Sequence, residues 1–305
     1  MRKIYYRSTR DPKIKELDTP RSGSWLHFED ATLEDVRLVS ELTGLTVADV
    51  DDALDIFEIP RIEHHDTAVV LFIKSPSDSD DTFYTQPITV IVTEQHFITI
   101  TPNKNEMLER FLQSGDYHTT KRSQLLLQLL LKVTDAFTKR IKTIRNEVQI
   151  NLADDHETTD EEIRRLTKNE QILNQFLVDL VPMKNVLETI LTGKYLVLYE
   201  DDSDLVEDIL ISTKQSVDVC RVNLKGIQSV RDAHQIIFTN KLNKTMQFLT
   251  SFTIILTIPT IIASIYGMNV RLPLDANPLA FHIIMLFTLA ISAVALIVFR
   301  RMKWF

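Results

Sequence analysis

Five hydroxyl-bearing residues, Thr250, Thr253, Thr257, Thr260 and Ser264, recur at alternating steps of three and four inside an otherwise apolar run, and Asn269 follows just beyond it. That alternation is the rhythm of a helix keeping one edge turned toward a common axis. Followed backward, it passes Met246, Asn243, Thr239, Ile236 and Asp232. Hydroxyl, amide and carboxylate oxygens are hard donors, suited to Mg²⁺, which gives up its water reluctantly and is usually held through that water. A ring of Asn269 amide oxygens, with backbone carbonyls freed where Gly267 lets the helix end, would grip such a hydrated ion. Gly267 would allow a positive φ or a close approach barred to other residues. Met246 and Leu249 supply an apolar constriction and Asp232 a ring of carboxylates, the one suited to gating by dewetting, the other to attracting cations. One helix encloses no water path, so such a pore belongs to several copies around an axis. The alternative reading is that the hydroxyls satisfy themselves on the carbonyl four residues back, or join helices with no bore between them.

Two long apolar runs, Phe248 to Ile265 and Ala280 to Phe299, must position these residues. Each matches the roughly 20 residues that cross about 30 Å of hydrocarbon as a helix. The polar connector from Val270 to Leu279 carries Pro273 and Pro278, so the chain reads as ending in a membrane hairpin. The second run has few polar groups besides His282, Thr288 and Ser292 and reads as an outer, lipid-facing helix. Lys241 and Lys244 precede the first run, Arg300, Arg301 and Lys303 follow the second, and the connector offers only Arg271 against Asp275. The positive-inside rule then places both termini in the cytoplasm of a multi-pass protein of the cell membrane. Trp304 suits an interfacial anchor.

Upstream, residues 1–120 read as a cytoplasmic α/β domain. Strand-like runs lie at Lys3 to Arg7, Ser24 to Phe28, Ala68 to Ile73, Pro87 to Thr93 and Phe97 to Thr101. Helical patterning follows Thr32 as N-cap, with Asp35 three positions on, and a second short helix is expected over Thr46 to Leu54. Residues 121–202 read as a cytoplasmic helical hairpin, Ser123 to Leu152 and Glu161 to about Leu191, with a kink expected at Pro182. Asp201, Asp202 and Asp204 supply caps and negative charge for a stalk helix over 203–267, whose last part (about 246–267) is the first membrane span. The connector is then 268–279, the second span 280–299 and a basic tail 300–305. The fold class is thus an α+β membrane protein, with a very long stalk helix running into the first of two C-terminal transmembrane helices. A net charge of -8 argues against nucleic acid, whose phosphates need a basic face. The single Cys220 excludes an internal disulfide.

The tetrad Tyr266-Gly267-Met268-Asn269, flanked by membrane helices near the C-terminal end, resembles the Gly-Met-Asn signature of the CorA family of divalent-cation transporters. Ile59-Pro60-Arg61-Ile62-Glu63, followed by the strand at Ala68 to Ile73, resembles a segment of that family's soluble domain. The resemblance implies the element order read above, a homo-oligomer of five subunits in the bilayer, and Lys241, Lys244 and the basic tail around the inner mouth of a pore. It implies that Tyr266 to Asn269 form the selectivity filter. It also implies closure by cytosolic Mg²⁺ at acidic sites between soluble domains. Counting back from Asn269 puts Asp208 at such a site, with Asp78, Asp80 or Asp81 as its partner. Mg²⁺ would then be both cargo and regulator. One departure is that the connector has no Glu and carries Arg271, leaving Asp275 as the available substitute for cation capture.

Other constellations carry less. His64 and His65 with Glu63 and Asp66 read as a surface turn, and His156 with Asp154 and Asp155 as a solvated hairpin tip. Gly193-Lys194 lacks the upstream Gly and following Ser or Thr of a phosphate loop, and no nucleophile elbow occurs, so neither ATP use nor an enzyme is expected. Two alternatives stand beside Mg²⁺ uptake. One is transport of Co²⁺, Ni²⁺ or Zn²⁺, with Met268 favouring the magnesium branch. The other is a non-conducting, membrane-anchored coiled-coil scaffold or sensor.

Overall fold

The computed structural model describes residues 2–77, 84–153, 159–196, 198–270, 272–274 and 277–304. The expected turn at Asp78, Asp80 and Asp81, the hairpin tip at Asp154 to His156, and Arg271 and Asp275 lie outside the described residues. The chain forms two compact units, Met1–Val230 and Arg231–Phe305.

The first unit is built on a seven-stranded sheet of order β2-β1-β3-β7-β6-β5-β4. The strands are β1 (Arg2–Tyr6), β2 (Lys15–Glu16), β3 (Trp25–Glu29), β4 (Arg61–His64), β5 (Ala68–Pro76), β6 (Thr85–Thr93) and β7 (Phe97–Thr101). Only β3 and β7 pair in parallel; the other neighbours are antiparallel. Both faces are covered, which explains why β5 is apolar without alternation. Val69, Leu71 and Ile73 join one core and Ala68, Val70 and Phe72 the other, as a period of two requires.

Helix α1 (Leu33–Thr43) lies over the second face. Its Thr32 and Asp35 form the expected capping box, and Asp35 also takes an ion pair from Arg2. The helix expected over Thr46 to Leu54 is instead two short 3-10 turns, Val47–Asp49 and Asp51–Leu54. Thr46 and Asp49 cap each other there, and the geometry tightens before a second α-turn can form. Arg61 begins β4 by pairing with Asp52 at 2.6 Å, Glu63 at 2.8 Å and Glu58, while its guanidinium lies 4.0 Å from the centre of the Phe72 ring.

The first face carries α2 (Glu106–Ser114) and the long helices α3 (Arg122–Ala153) and α4 (Asp160–Leu191), which pack with the opening part of α5 (Glu200–Tyr266). Trp25 is fully buried here among Tyr5, Phe97, Phe111 and Tyr117, whose ring centres lie 5.1 to 6.0 Å from its own. Phe137 of α3 and Phe176 of α4 meet edge to face at 4.9 Å, closing the helical pair. Pro182 lies inside α4, which the structure carries through to Leu191.

Helix α5 begins three residues before the expected Ser203. Asp202 sits in its first turn and accepts from the Tyr199 N–H at 3.3 Å, so this acid closes the helix start from inside. The second unit contains the remainder of α5 and α6 (Ala280–Arg301), which among the described residues are the two helices long and apolar enough to cross a membrane. Asn277 accepts from the Leu279 N–H at 2.9 Å and fixes the entry to α6, and Trp304 stacks on Phe299 at 5.4 Å beyond its end.

Candidate functional site: the hydroxyl face of the C-terminal hairpin

Along the apolar part of α5, the occluded positions are Gln247, Ser251, Ile255, Ile258 and Ile262. Those of α6 are Ala280, Ile284, Thr288, Ile291, Ser292, Ala295 and Phe299. Each set recurs at helical steps, so these are the faces by which the two helices meet. Ser251 is 0% exposed within its set, and Ser292 Oγ on α6 is buried without a hydrogen-bond partner. Of the polar groups of α6, Thr288 and Ser292 belong to its occluded side, whereas His282 is exposed. Sequence reading missed Ser251, whose four-residue offset from Gln247 and Ile255 was the available signal.

Thr250, Thr253, Thr257, Thr260 and Ser264 are all exposed, together with Met246 and Leu249 at 58% and 62%. At about 100° per residue this stripe lies roughly 150° around α5 from the face that meets α6. Nothing in the second unit covers it among the described residues. Asn243 and Asp232 continue it along the helix and are likewise exposed.

The hydroxyls are not idle. Thr253 donates to the Leu249 carbonyl at 2.8 Å, Thr257 to the Thr253 carbonyl at 2.8 Å and Thr260 to the Leu256 carbonyl at 2.9 Å. The back-bonding anticipated as an alternative is thus present, and it has a chemical consequence. With its one proton held by the helix, each hydroxyl offers only lone pairs outward. A face of acceptors suits water molecules that donate, which is how the shell of a cation presents itself, and suits an anion poorly.

The helix ends at the tetrad. The Gly267 N–H closes the last α-turn on the Ala263 carbonyl at 2.9 Å, and the Met268 N–H reaches Ile265 at 3.3 Å in a tighter turn. Gly267 does not take the left-handed conformation that sequence reading allowed. Its lack of a side chain matters through space: a Cβ would stand 3.3 Å from the Ala263 carbonyl oxygen. Tyr266, Gly267, Met268 and Asn269 are all exposed at this end.

In the first unit, Asp208 is exposed on α5 between the buried Val206 and Ile209, with Asp201, Asp204 and Glu207 also exposed. Asp202 is 3% exposed and committed to the helix start, so it drops out of any cation site. Among the described residues no group of three or more His, Cys, Asp or Glu side chains is placed to hold a metal ion. His65 faces Glu63 at 3.5 Å and Asp49 at 4.0 Å near the surface, while His64 turns away at the end of β4. Cys220 is fully buried, and burial pushes its thiol up to about 12, which leaves it inert.

The family model for CorA-like Mg²⁺ transporter protein matches residues 21–301. The cobalt/magnesium transport protein CorA of Methanocaldococcus jannaschii is 27% identical over 312 residues, covering 96% of this chain and 95% of that protein. The solved CorA magnesium transporter of the same organism superposes with a TM-score of 0.84 at 23% identity, over 100% of this chain and 99% of its own. Full-length CmaX has the same fold, with a TM-score of 0.74 at 15% identity over 99% and 97% of the two chains. The ZntB cytoplasmic domain of Vibrio parahaemolyticus matches 78% of this chain and 98% of its own at 11% identity, with a TM-score of 0.64. Taken with two helices able to span a bilayer, the match over nearly the whole chain shows that this protein belongs to the CorA-like Mg²⁺ transporter family, whose members are membrane transporters and not enzymes.

Proposed function

We propose that copies of this chain assemble around an axis, with the hydroxyl face of α5 inward, and admit hydrated Mg²⁺ through the bore. The observation that carries this reading is the placement of Thr250, Thr253, Thr257, Thr260 and Ser264 on the side of α5 away from α6. Lining the bore with that face leaves α6 outside, where its apolar surface meets lipid. Tyr266 to Asn269 form the outer filter, in which Asn269 amide oxygens receive the ion's water shell. Hydroxyl acceptors continue the path, Met246 and Leu249 narrow it, and Asn243 and Asp232 lie toward the cytoplasm. Five subunits is the number the family resemblance implies.

Lys241, Lys244, Arg300, Arg301 and Lys303 argue for both termini inside the cell, with residues 1–120, 121–202 and the stalk over 203–245 cytoplasmic. An inside-negative potential of 100 mV would contribute about 2.3 kcal/mol for each positive charge entering, so inward flux needs no ATP. Cytosolic Mg²⁺ closes the path by binding Asp208 against an acid of the Asp78, Asp80, Asp81 segment of a neighbouring copy. A second reading, Co²⁺ as cargo, is favoured by the name of the relative from Methanocaldococcus jannaschii.

The test is flux into proteoliposomes carrying an internal Mg²⁺ dye. Asn269→Ala is expected to lower Mg²⁺ entry at least tenfold while assembly is unchanged. Undiminished entry would remove Asn269 from the filter. If the unaltered protein admits no divalent cation under any internal Mg²⁺, the non-conducting scaffold reading replaces this one.

A further inference from the structure

A cleft of about 560 Å³ lies between α2 and α3, with Pro76 of β5 also lining it. It is confined to the first unit and includes none of the residues assigned above. Its size falls in the range of pockets that hold small organic ligands, roughly 300 to 1,000 Å³. Helix α2 presents Arg110 to it and helix α3 presents Lys132, Lys139 and Arg140, against the single acid Asp135. Positions 132, 136, 139, 140 and 143 share one side of α3, so the positive charge is gathered on a single wall.

The ordinary reading of such residues is a solvated helix face, and two observations count against it. The chain as a whole has a formal charge of -8, yet this wall of α3 carries three cations to one anion. Asp135 stands four residues before Lys139, the favourable spacing for a helix ion pair, but neither Lys132, Lys139 nor Arg140 forms a salt bridge with any described residue. Three like charges on one helix face, without an ion pair among the described residues, form a ready binding surface for a multivalent anion. The floor of the cleft is different in kind: Met107 and Phe111 line it from α2, with Ala136 opposite. Cationic rim and apolar floor together match a molecule with clustered phosphates on a flat apolar body.

We propose that this cleft binds an organic polyphosphate of the nucleoside triphosphate class. The phosphates meet Lys132, Lys139 and Arg140 of α3, and the base lies toward Met107 and Phe111. The inference does not depend on where the transport path runs.

The test uses the full-length protein in detergent, with binding of ATP, AMP and inorganic triphosphate followed by calorimetry in Mg²⁺-free buffer. Saturable ATP binding that weakens at least tenfold in Lys139→Glu/Arg140→Glu is expected, with Arg145→Glu, on a different side of α3, within twofold of the unaltered protein. ATP is expected to exceed inorganic triphosphate through the apolar floor, and AMP to be weakest through its lower charge. Absence of saturable ATP binding, or binding that the double variant leaves intact, would overturn the proposal. Equal affinity for ATP and inorganic triphosphate would overturn the role given to Met107 and Phe111. The neutral variant Lys132→Gln/Lys139→Gln keeps the test open should charge reversal disturb folding; it is expected to weaken ATP binding, and unchanged affinity counts against the site.

Discussion

Replacing Thr257 by Val changes almost nothing but one oxygen. Volume and branching are kept, and a methyl group takes the place of the hydroxyl whose proton is held by the Thr253 carbonyl at 2.8 Å. In lipid such a change would be harmless or mildly favourable, because the backbone carbonyl keeps its helix partner. On a wet face it removes an acceptor for the polarised water around an ion. A hydrogen bond to a charged or strongly polarised partner is worth about 1.5 kcal/mol or more. Losing one such contact at the barrier would therefore slow passage roughly tenfold. Thr288 supplies the control, since it makes the same bond to the Ile284 carbonyl at 2.8 Å but lies on the side of α6 that meets α5. Initial Mg²⁺ entry into dye-loaded proteoliposomes should fall about tenfold for Thr257→Val and stay within about twofold for Thr288→Val. Equal effects of the two substitutions, or none for Thr257→Val, would refute the reasoning that the hydroxyl meets the ion's water.

Two further outcomes follow from the first unit. Asp208→Lys should leave entry active at internal Mg²⁺ concentrations that close the unaltered protein; normal closure, read in the same vesicles, would remove Asp208 from regulation. Burial, aided by the positive charge of Lys3, pushes the His27 imidazole down to about 4 from 6.5. The folded state keeps this ring neutral beside Thr99, which meets His27 Nδ1 at 2.9 Å and accepts from the Trp25 indole at 2.8 Å. Above pH 6.5 the contribution is full; as pH falls toward 4 the unfolded chain takes up a proton that the folded chain refuses. Stability should therefore drop by about 3 kcal/mol across that window. Urea unfolding followed by near-ultraviolet dichroism of the buried Trp25 would measure it. His27→Gln should flatten the pH slope, and an unchanged slope would locate the titration elsewhere.

The long-range plan of the molecule was open to reading from sequence because hydropathy states it directly. The run from Phe248 to Ile265 and the run from Ala280 to Phe299 carry their own length, and residues 203–258 contain no proline to interrupt α5. The strand at Ala68 to Ile73 was equally visible as an apolar run, although its burial on two faces emerges only from the two cores it joins. Short elements were harder to see. Strand β4 is only Arg61–His64, two of its residues are charged, and it exists because Arg61 collects Asp52, Glu58 and Glu63 while resting on Phe72. These partners lie within eleven residues of Arg61, but four residues with two charges show no apolar alternation to mark a strand. Helix α2 could have been found: Asn105 caps it by accepting from Leu108 at 2.9 Å, and Gly115 ends it in the left-handed conformation.

The start of α5 shows a different difficulty. Spacing alone puts Asp202 before the helix, but an acid at the third helical position can accept from the N–H of the residue just ahead of the helix, and that moves the boundary upstream. At the candidate pore, the hydroxyl stripe was legible from spacing alone. That it lies away from α6 was not, because spacing gives a helix its faces without saying which one a neighbour covers. The positions Gln247, Ser251, Ile255, Ile258 and Ile262 settle that point for this hairpin.

The most direct trial of a water-lined α5 is the reactivity of single cysteines in a Cys220→Ser background, reconstituted into vesicles and exposed to a membrane-impermeant, positively charged thiol reagent. Ser264→Cys should react and block Mg²⁺ entry, whereas Leu286→Cys on the exposed side of α6 should stay unmodified with entry unimpaired. A Ser264→Cys thiol that resists the reagent as fully as the one at position 286, in vesicles that admit Mg²⁺, would contradict the account.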